Sequence, residues 1–237
     1  MLKQIISFCA VLASCWVSFS SCNNSGTDLK LQAPAVSQAA IGNSGKTGSG
    51  GTSAEAKERA TDDLLAACMA ETESYAKYAA YSKKAGQEGY RQIALLFKAV
   101  SEAENILAGN HKAALDDSGA RLAAGNREFS VKTTKENLLN AIKGETYKST
   151  AMYPEFINAA DAAGEQMATL SLNYALKTGA THRLLYENAL AALGENMEKS
   201  LSSAYYICAT CGNTYDAAPP QRCGVCMTRS EKFMKIL

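Results

Sequence analysis

An internal repeat narrows the fold of this chain more than any other feature. Asp63-Leu64-Leu65-Ala66-Ala67-Cys68-Met69-Ala70-Glu71-Thr72 aligns with Asn137-Leu138-Leu139-Asn140-Ala141-Ile142-Lys143-Gly144-Glu145-Thr146 at an offset of 74. At an offset of 75, Gly89 pairs with Gly164, Glu104 with Gly179 and Leu107 with His182. Both copies lie in a stretch from about Thr61 to Leu201 that is rich in Ala, Leu, Met, Tyr, Glu and Lys, with helical periodicity and few β-branched residues. Start signals stand at Thr61-Asp62-Asp63 and at Thr133-Thr134-Lys135-Glu136, the second a capping-box pattern. Breaks at Gly86 to Gly89, Asp116 to Gly125 and Ala163-Gly164 divide the stretch into four helices. Pro154, the one proline between Pro34 and Pro219, falls inside the third and predicts a kink there. A duplicated helix pair with a longer middle connection predicts an all-α four-helix bundle with a crossover.

The same duplication locates a candidate site. A carboxylate-bridged dimetal bundle takes a Glu from each of two helices and a Glu-x-x-His from each of the other two. The i, i+3 spacing sets that Glu and His on one helix face, within reach of one interior metal. Here the first repeat supplies Glu71 and Glu104 but holds Leu107 in the His slot; the second supplies Glu145 and His182 but holds Gly179 in the Glu slot. Four of six positions are filled, by hard carboxylates and one imidazole that suit iron or manganese. A single helical Glu is ordinarily a solvated residue. The coincidence across the repeat argues against that reading for the set.

The strongest local signal is in the tail. Cys208-Ala-Thr-Cys211 and Cys223-Gly-Val-Cys226 are two C-x-x-C pairs with eleven residues between them. So short a segment cannot hold a core without a staple, and four thiolates at this spacing predict a tetrahedral metal site. Zinc in a ribbon, iron in a redox site, or two disulfides satisfy the spacing alone, and composition favours zinc.

Taken together, residues 60 to 237 resemble a rubrerythrin. The resemblance rests on Glu71 with Tyr78, Gly89-Tyr90-x-Gln92-Ile93-Ala94-x-x-Phe97 leading to Glu104, Gly144-Glu145 followed by Met152-Tyr153-Pro154-x-Phe156, and Tyr206-x-Cys208-x-x-Cys211-Gly212 closing with Cys223-x-x-Cys226. It implies a ferritin-like bundle over residues 54–203 and a rubredoxin-like domain over 204–237 with one iron on Cys208, Cys211, Cys223 and Cys226. It also implies a homodimer, a redox donor protein, and electron flow from that iron to a diiron centre that reduces peroxide, with Tyr78 hydrogen-bonded to a site carboxylate. Gly224 and Met227 depart from the Cys-Pro-x-Cys-Gly form of the second rubredoxin knuckle.

The bundle departs further. Rubrerythrins resemble one another in a seventh carboxylate three residues after the third-helix Glu, where this chain has Lys148. If Glu71, Glu104 and Glu145 point inward without metal, they are costly to bury unless neutralised. Lys148 lies one turn from Glu145, so its ammonium, with a protonated His182, is expected to replace the missing metal charge. That reading allows one or no further iron in the bundle. The alternative for Lys148 is a solvated surface lysine. His111, about 10 Å along the axis from Glu104, is expected on the surface. Cys68 is expected to be a small buried apolar group.

The N-terminus reads as an address. Lys3 precedes a largely apolar run from Ile5 to Phe19, too short to span a membrane, which marks residues 1–21 as an export signal. Phe19-Ser20-Ser21-Cys22 is similar to a bacterial lipobox, so Cys22 is the expected lipidation site of a membrane-anchored lipoprotein in the periplasm or at the cell surface. The alternatives are Cys15 and a cleaved signal without lipid. Residues 22–53 form a linker, with Gly, Ser or Thr at ten of the twelve positions from Gly42 to Ser53. The whole chain carries 24 Lys and Arg against 23 Asp and Glu, and loss of the signal removes only Lys3 from that balance. A mature net charge of zero gives no footprint for nucleic acid.

Three functions remain. The first is an exported rubrerythrin-like non-haem iron oxidoreductase. The second is a non-enzymatic electron carrier or metal-binding lipoprotein on a bundle that has lost its diiron site. The third is a zinc-stapled structural or interaction protein.

Overall fold

The computed structural model describes residues 52–118 and 128–237. The export segment, Cys22, Cys15 and most of the Gly/Ser/Thr tract lie outside the described residues. The helices are α1 (Ser53–Gln87), α2 (Arg91–Ser118), α3 (Thr134–Tyr147), α4 (Tyr153–Ala163) and α5 (Gln166–Gly194), with a π turn, Lys148–Met152, joining α3 to α4. Three short strands follow: β1 (Tyr205–Cys208), β2 (Thr214–Tyr215) and β3 (Phe233–Ile236). Helix α1, helix α2, the α3–π–α4 rod and helix α5 are the four members of a bundle. Among the described residues, no helix is long and apolar enough to cross a membrane.

Local chemistry sets the helix ends, and it does so twice. At the start of α1, Glu55 N–H donates to Thr52 Oγ1 while Thr52 N–H donates to Glu55 Oε2. Thr133 and Glu136 form the same capping box at the start of α3, as their sequence pattern predicts. Helix α1 therefore begins at Ser53, ahead of the signal at Thr61. The residues between are strong helix formers, and Lys57 and Arg59 reach Glu165 and Glu155 at 3.3 and 2.8 Å.

The two hairpins close alike. Tyr90 N–H donates to Ala85 O and Glu165 N–H to Ala160 O, both at 2.9 Å, around Gly89 and Gly164 at φ 88° and 75°. A left-handed residue closes a helix in this way, and glycine adopts that conformation without a Cβ penalty. The alignment of Gly89 with Gly164 thus corresponds to one turn built twice. Pro154 interrupts its helix as a π turn: the residue has no N–H to give and its ring crowds the preceding turn, and Tyr153 N–H reaches back to Lys148 O.

Apolar packing brackets a polar middle. Tyr78, Tyr81, Phe97 and Tyr186 form one aromatic cluster with centroid separations between 5.1 and 6.2 Å. Leu64, Leu107, Leu115, Tyr153 and Leu172 belong to a second core. The four bundle members bring inward polar residues together between these two layers: Glu71, Glu104, Glu145 with Lys148, and His182.

The strands form an antiparallel sheet of order β2-β1-β3, with Tyr206 opposite Tyr215 and Lys235. Tyr205 and Ile207 of β1 are buried in the aromatic end of the bundle core, which fixes the tail onto the helices. Helices and sheet belong to one compact unit.

Candidate metal centres

Four cysteines converge where the sheet meets two tight turns. Cys208 N–H donates to Asn213 O and Gly212 N–H to Cys208 O, each at 2.9 Å. In the second turn Cys223 N–H donates to Thr228 O at 2.8 Å and Met227 N–H to Cys223 O at 3.0 Å. The two knuckles are the same structure. Their fourth-following residues, Gly212 and Met227, are both left-handed, at φ 75° and 62°. Met227 thus takes the glycine conformation that the rubredoxin pattern calls for, at a backbone cost of about 1–2 kcal/mol.

The four Sγ atoms lie within 4.8 Å of one another. Cys208 and Cys226 are 3.4 Å apart and Cys211 and Cys223 3.5 Å. A tetrahedral thiolate site with bonds of about 2.3 Å has edges of about 3.8 Å, so the set fits one metal ion. All five cysteines among the described residues are free thiols, so the disulfide reading does not hold. Cys208 is held down to about 4 by the hydrogen bond with Cys211 and by the Cys211 and Thr210 backbone N–H groups. Tyr215 OH and Val225 N–H both point at Cys223 Sγ, at 3.6 and 3.4 Å. The donors on Cys208 favour the thiolate form that a metal requires.

The bundle site has a different occupant. Lys148 Nζ lies 2.6 Å from Glu71 Oε2, 3.0 Å from Glu104 Oε2 and 3.0 Å from Glu145 Oε1. The ammonium donates hydrogen bonds to Glu71 and Glu104 and forms an ion pair with Glu145. Lys148 is buried, so the surface-lysine alternative does not hold. Tyr153 OH donates to Glu71 Oε1, and Tyr78 OH to Glu145 Oε1 at 2.6 Å. The second contact is the one the family resemblance implies for Tyr78. His182 spans two elements, with Nδ1 2.9 Å from Glu104 Oε1 and Nε2 3.0 Å from Thr214 Oγ1.

Electrostatics assigns the protons. Burial alone would raise Glu71, but the Lys148 charge together with hydrogen bonds from Glu104, Lys148 and Tyr153 outweighs it and holds the carboxylate at about 2. Burial and then the Glu71 charge push Glu104 well above the carboxylate range, and burial also raises Glu145. Burial works against the Lys148 charge, yet the three carboxylates outweigh it and the amine keeps its proton. His182 falls to about 3, through burial and then the nearby ammonium. The histidine is therefore neutral, which corrects the expectation of a protonated imidazole: extra protons on carboxylates balance the cluster instead. One direction of donation then satisfies the chain, from Glu104 OH to His182 Nδ1, from His182 Nε2–H to Thr214 Oγ1, and from Thr214 OH to Gly212 O at 3.1 Å.

The predicted ligand set is only partly brought together as a metal site. Glu104, Glu145 and His182 offer ligand atoms within 4.8 Å of one another, while Glu71 stands outside that group. Leu107 is buried among apolar neighbours, and a Cβ on Gly179 would meet Glu145 Oε2 at 3.1 Å. Glu104, Glu145 and His182 could hold a metal ion, and the four cysteines fit one iron.

His111 is buried, with Nδ1 2.7 Å from Ser171 Oγ, against the surface position expected for it. Its helix face turns inward beside Tyr153, 6.1 Å between ring centres, and spacing from Glu104 gave no hint of this. Cys68 is buried as expected. Sequence reasoning passed over the roles of Tyr153, Thr178 and Thr214. Tyr153 lies within a motif already singled out; Thr178 and Thr214 acquire roles only when the tail docks. In that docking Thr178 Oγ1 donates to Cys211 O at 2.9 Å and Asn110 Nδ2 to Thr210 O at 2.8 Å.

Comparison with known proteins bears on the same residues. The family model described as Rubrerythrin matches residues 62–190. The chain is 30% identical over 176 residues to rubrerythrin-2 of Clostridium acetobutylicum, covering 73% of this chain and 94% of that protein. It is 29% identical over 177 residues to nigerythrin of Nitratidesulfovibrio vulgaris, covering 73% and 84%. The solved structure of fully reduced, all-ferrous nigerythrin superposes with a TM-score of 0.68 at 25% identity, over 88% of this chain and all of that one.

Proposed function

The chain belongs to the rubrerythrin family of non-haem iron proteins, and on that premise we propose that it is an exported, membrane-tethered redox protein that exchanges single electrons at its four-cysteine iron. The observation that carries this reading is the convergence of Cys208, Cys211, Cys223 and Cys226 within 4.8 Å beside a bundle pocket filled by Lys148. Iron on four thiolates supplies a one-electron couple. The chain's own residues do the rest. The backbone N–H groups of Thr210 and Cys211 hold negative charge on the Cys208 sulfur, the Val225 N–H and the Tyr215 hydroxyl contact Cys223 Sγ, and Thr178 fixes the first knuckle through the Cys211 carbonyl. Cys226 is the one ligand that is not fully buried, which makes its edge the natural place for electrons to enter or leave.

Support for export is the run from Ile5 to Phe19 and the lipobox-like residues ending in Cys22. Family resemblance adds a homodimer and a redox donor protein. The test is metal analysis with visible spectroscopy of the membrane-extracted chain. About one iron per chain, with a thiolate-to-iron absorption that bleaches on reduction, supports the reading; zinc alone overturns it. Intact mass of the same sample tests the tether, and a mature chain without acyl groups removes it.

A second reading is peroxide reduction in the bundle, favoured by the proximity of Glu104, Glu145 and His182. It needs two electrons and two protons to turn one hydrogen peroxide into two waters. Peroxide-dependent oxidation of the reduced protein that survives replacement of all four tail cysteines by Ser, with reductant supplied directly, would establish it.

A further inference from the structure

We propose that the Lys148 ammonium permanently replaces the metal pair of the bundle, so that in the native chain iron is confined to the four cysteines. The observations are geometric. The nitrogen lies at 2.6 to 3.0 Å from one oxygen of each of Glu71, Glu104 and Glu145, where a bridging cation would have to stand. The ammonium donates hydrogen bonds to Glu71 and Glu104 and pairs with Glu145, and each of the three carboxylates comes from a different bundle member. A metal ion in that position would have to displace a cation that is covalently part of the chain and cannot diffuse away.

The surroundings have changed with it. Where a dimetal bundle needs a second histidine the chain has Leu107, packed among Leu64, Leu115 and Leu172. Where it needs a fourth glutamate the chain has Gly179, and the absence of a side chain there leaves room for Glu145, whose Oε2 has no hydrogen-bond partner among the described residues. Tyr153 and Tyr78 hold Glu71 and Glu145 from the sides, so those carboxylates are fixed without metal. The remaining ligands, Glu104, Glu145 and His182, are enough for one ion and not two. Lys148 is therefore the residue that excludes metal, and its removal should open a one-ion site.

The wild-type chain grown on iron-57 provides the first test, by Mössbauer spectroscopy and total iron. The expected result is a tetrathiolate signal alone; an oxygen- and nitrogen-ligated component of about one iron or more per chain overturns the proposal. Cobalt(II) titration of the zinc-loaded chain provides the second. Wild type should take up none in the bundle, whereas Lys148→Met should bind about one cobalt per chain with the weak visible bands of an oxygen and nitrogen site. His182→Ala in the Lys148→Met background should abolish that binding. A Lys148→Met chain that is folded by circular dichroism yet binds no cobalt would show that the ammonium is not what keeps metal out. If that variant does not fold, the iron-57 measurement on wild type still decides. A chain with zinc on its cysteines and a metal-free bundle would overturn the electron-transfer reading and leave this one standing.

Discussion

Gly212 lies so close to Ala103 that a Cβ on it would stand 2.9 Å from the Ala103 carbonyl oxygen and 3.4 Å from Leu107 Cγ. The first cysteine knuckle thus rests on the backbone of α2, and its glycine serves both contact and conformation, with φ at 75°. Gly212→Ala is expected to cost about 2 kcal/mol or more, from overpacking and a left-handed alanine together. Chemical denaturation and the rate of iron loss to a chelator would register it; an unchanged midpoint would mean that the knuckle does not dock there.

Met227 invites the opposite change. Its left-handed backbone costs about 1–2 kcal/mol, partly offset by the extra unfolded-state freedom of glycine. Met227 is largely exposed, so little packing is lost on its removal. Met227→Gly should raise stability by about 0.5–1 kcal/mol and slow metal release. A lower denaturation midpoint in urea would refute this.

Two tyrosines hold the carboxylates. Tyr153→Phe removes the hydroxyl that bonds Glu71 Oε1, the ionised member of the set, and Tyr78→Phe removes the one on Glu145 Oε1. Tyr153→Phe should cost about 1.5–3 kcal/mol, the range for hydrogen bonds to charged groups, and Tyr78→Phe about 1 kcal/mol, because Glu71 bears the charge while burial favours the protonated form of Glu145. Because Lys148 pairs with all three carboxylates, the double variant should fall short of the sum of the two losses. Strict additivity in denaturation curves would show that the carboxylates do not share one network.

Acid should unfold the protein partly through His111. Burial depresses this imidazole to about 4 from 6.5, so the folded state resists a proton that the unfolded state takes up. The resulting stability is present above about pH 6.5 and is lost as pH falls toward 4, a swing of roughly 3 kcal/mol. Glu104 and Glu145 act with the opposite sign, since their folded carboxyls keep protons that the unfolded chain gives up above its ordinary carboxylate value. The comparison that isolates the histidine is wild type against His111→Asn between pH 7 and pH 4, where the variant should lose less stability. Parallel stability curves would eliminate His111 as the cause.

Much of this architecture is legible in the residues because it rests on local rules and on repetition. The Thr133 to Glu136 pattern forms a capping box, Gly89 and Gly164 close equivalent hairpins, and Cys208 to Cys226 converge at the spacing that metal sites use. The residues of the bundle site were visible through the repeat, including the missing histidine and glutamate. Proton placement was not visible. Whether His182 or a carboxylate carries the extra proton depends on burial and on a lysine reaching three helices at once, and no spacing along one helix reports that. His111 shows the same limit: its burial arises from α5 packing Ser171 against it.

The π turn gives the third helix a phase as well as a sequence. Lys148 and Tyr153 are five residues apart, which on an α-helix would set them about 140° from each other. Across the wider turn both reach Glu71, one at each carboxylate oxygen. Deleting a single residue from that turn would restore ordinary winding with Lys148 and Tyr153 four positions apart, about 40° from each other, so the helix beyond would keep nearly its present face. The wide turn is in effect a leap day in the helical calendar, one extra position absorbed so that the residues after it keep their face toward the bundle.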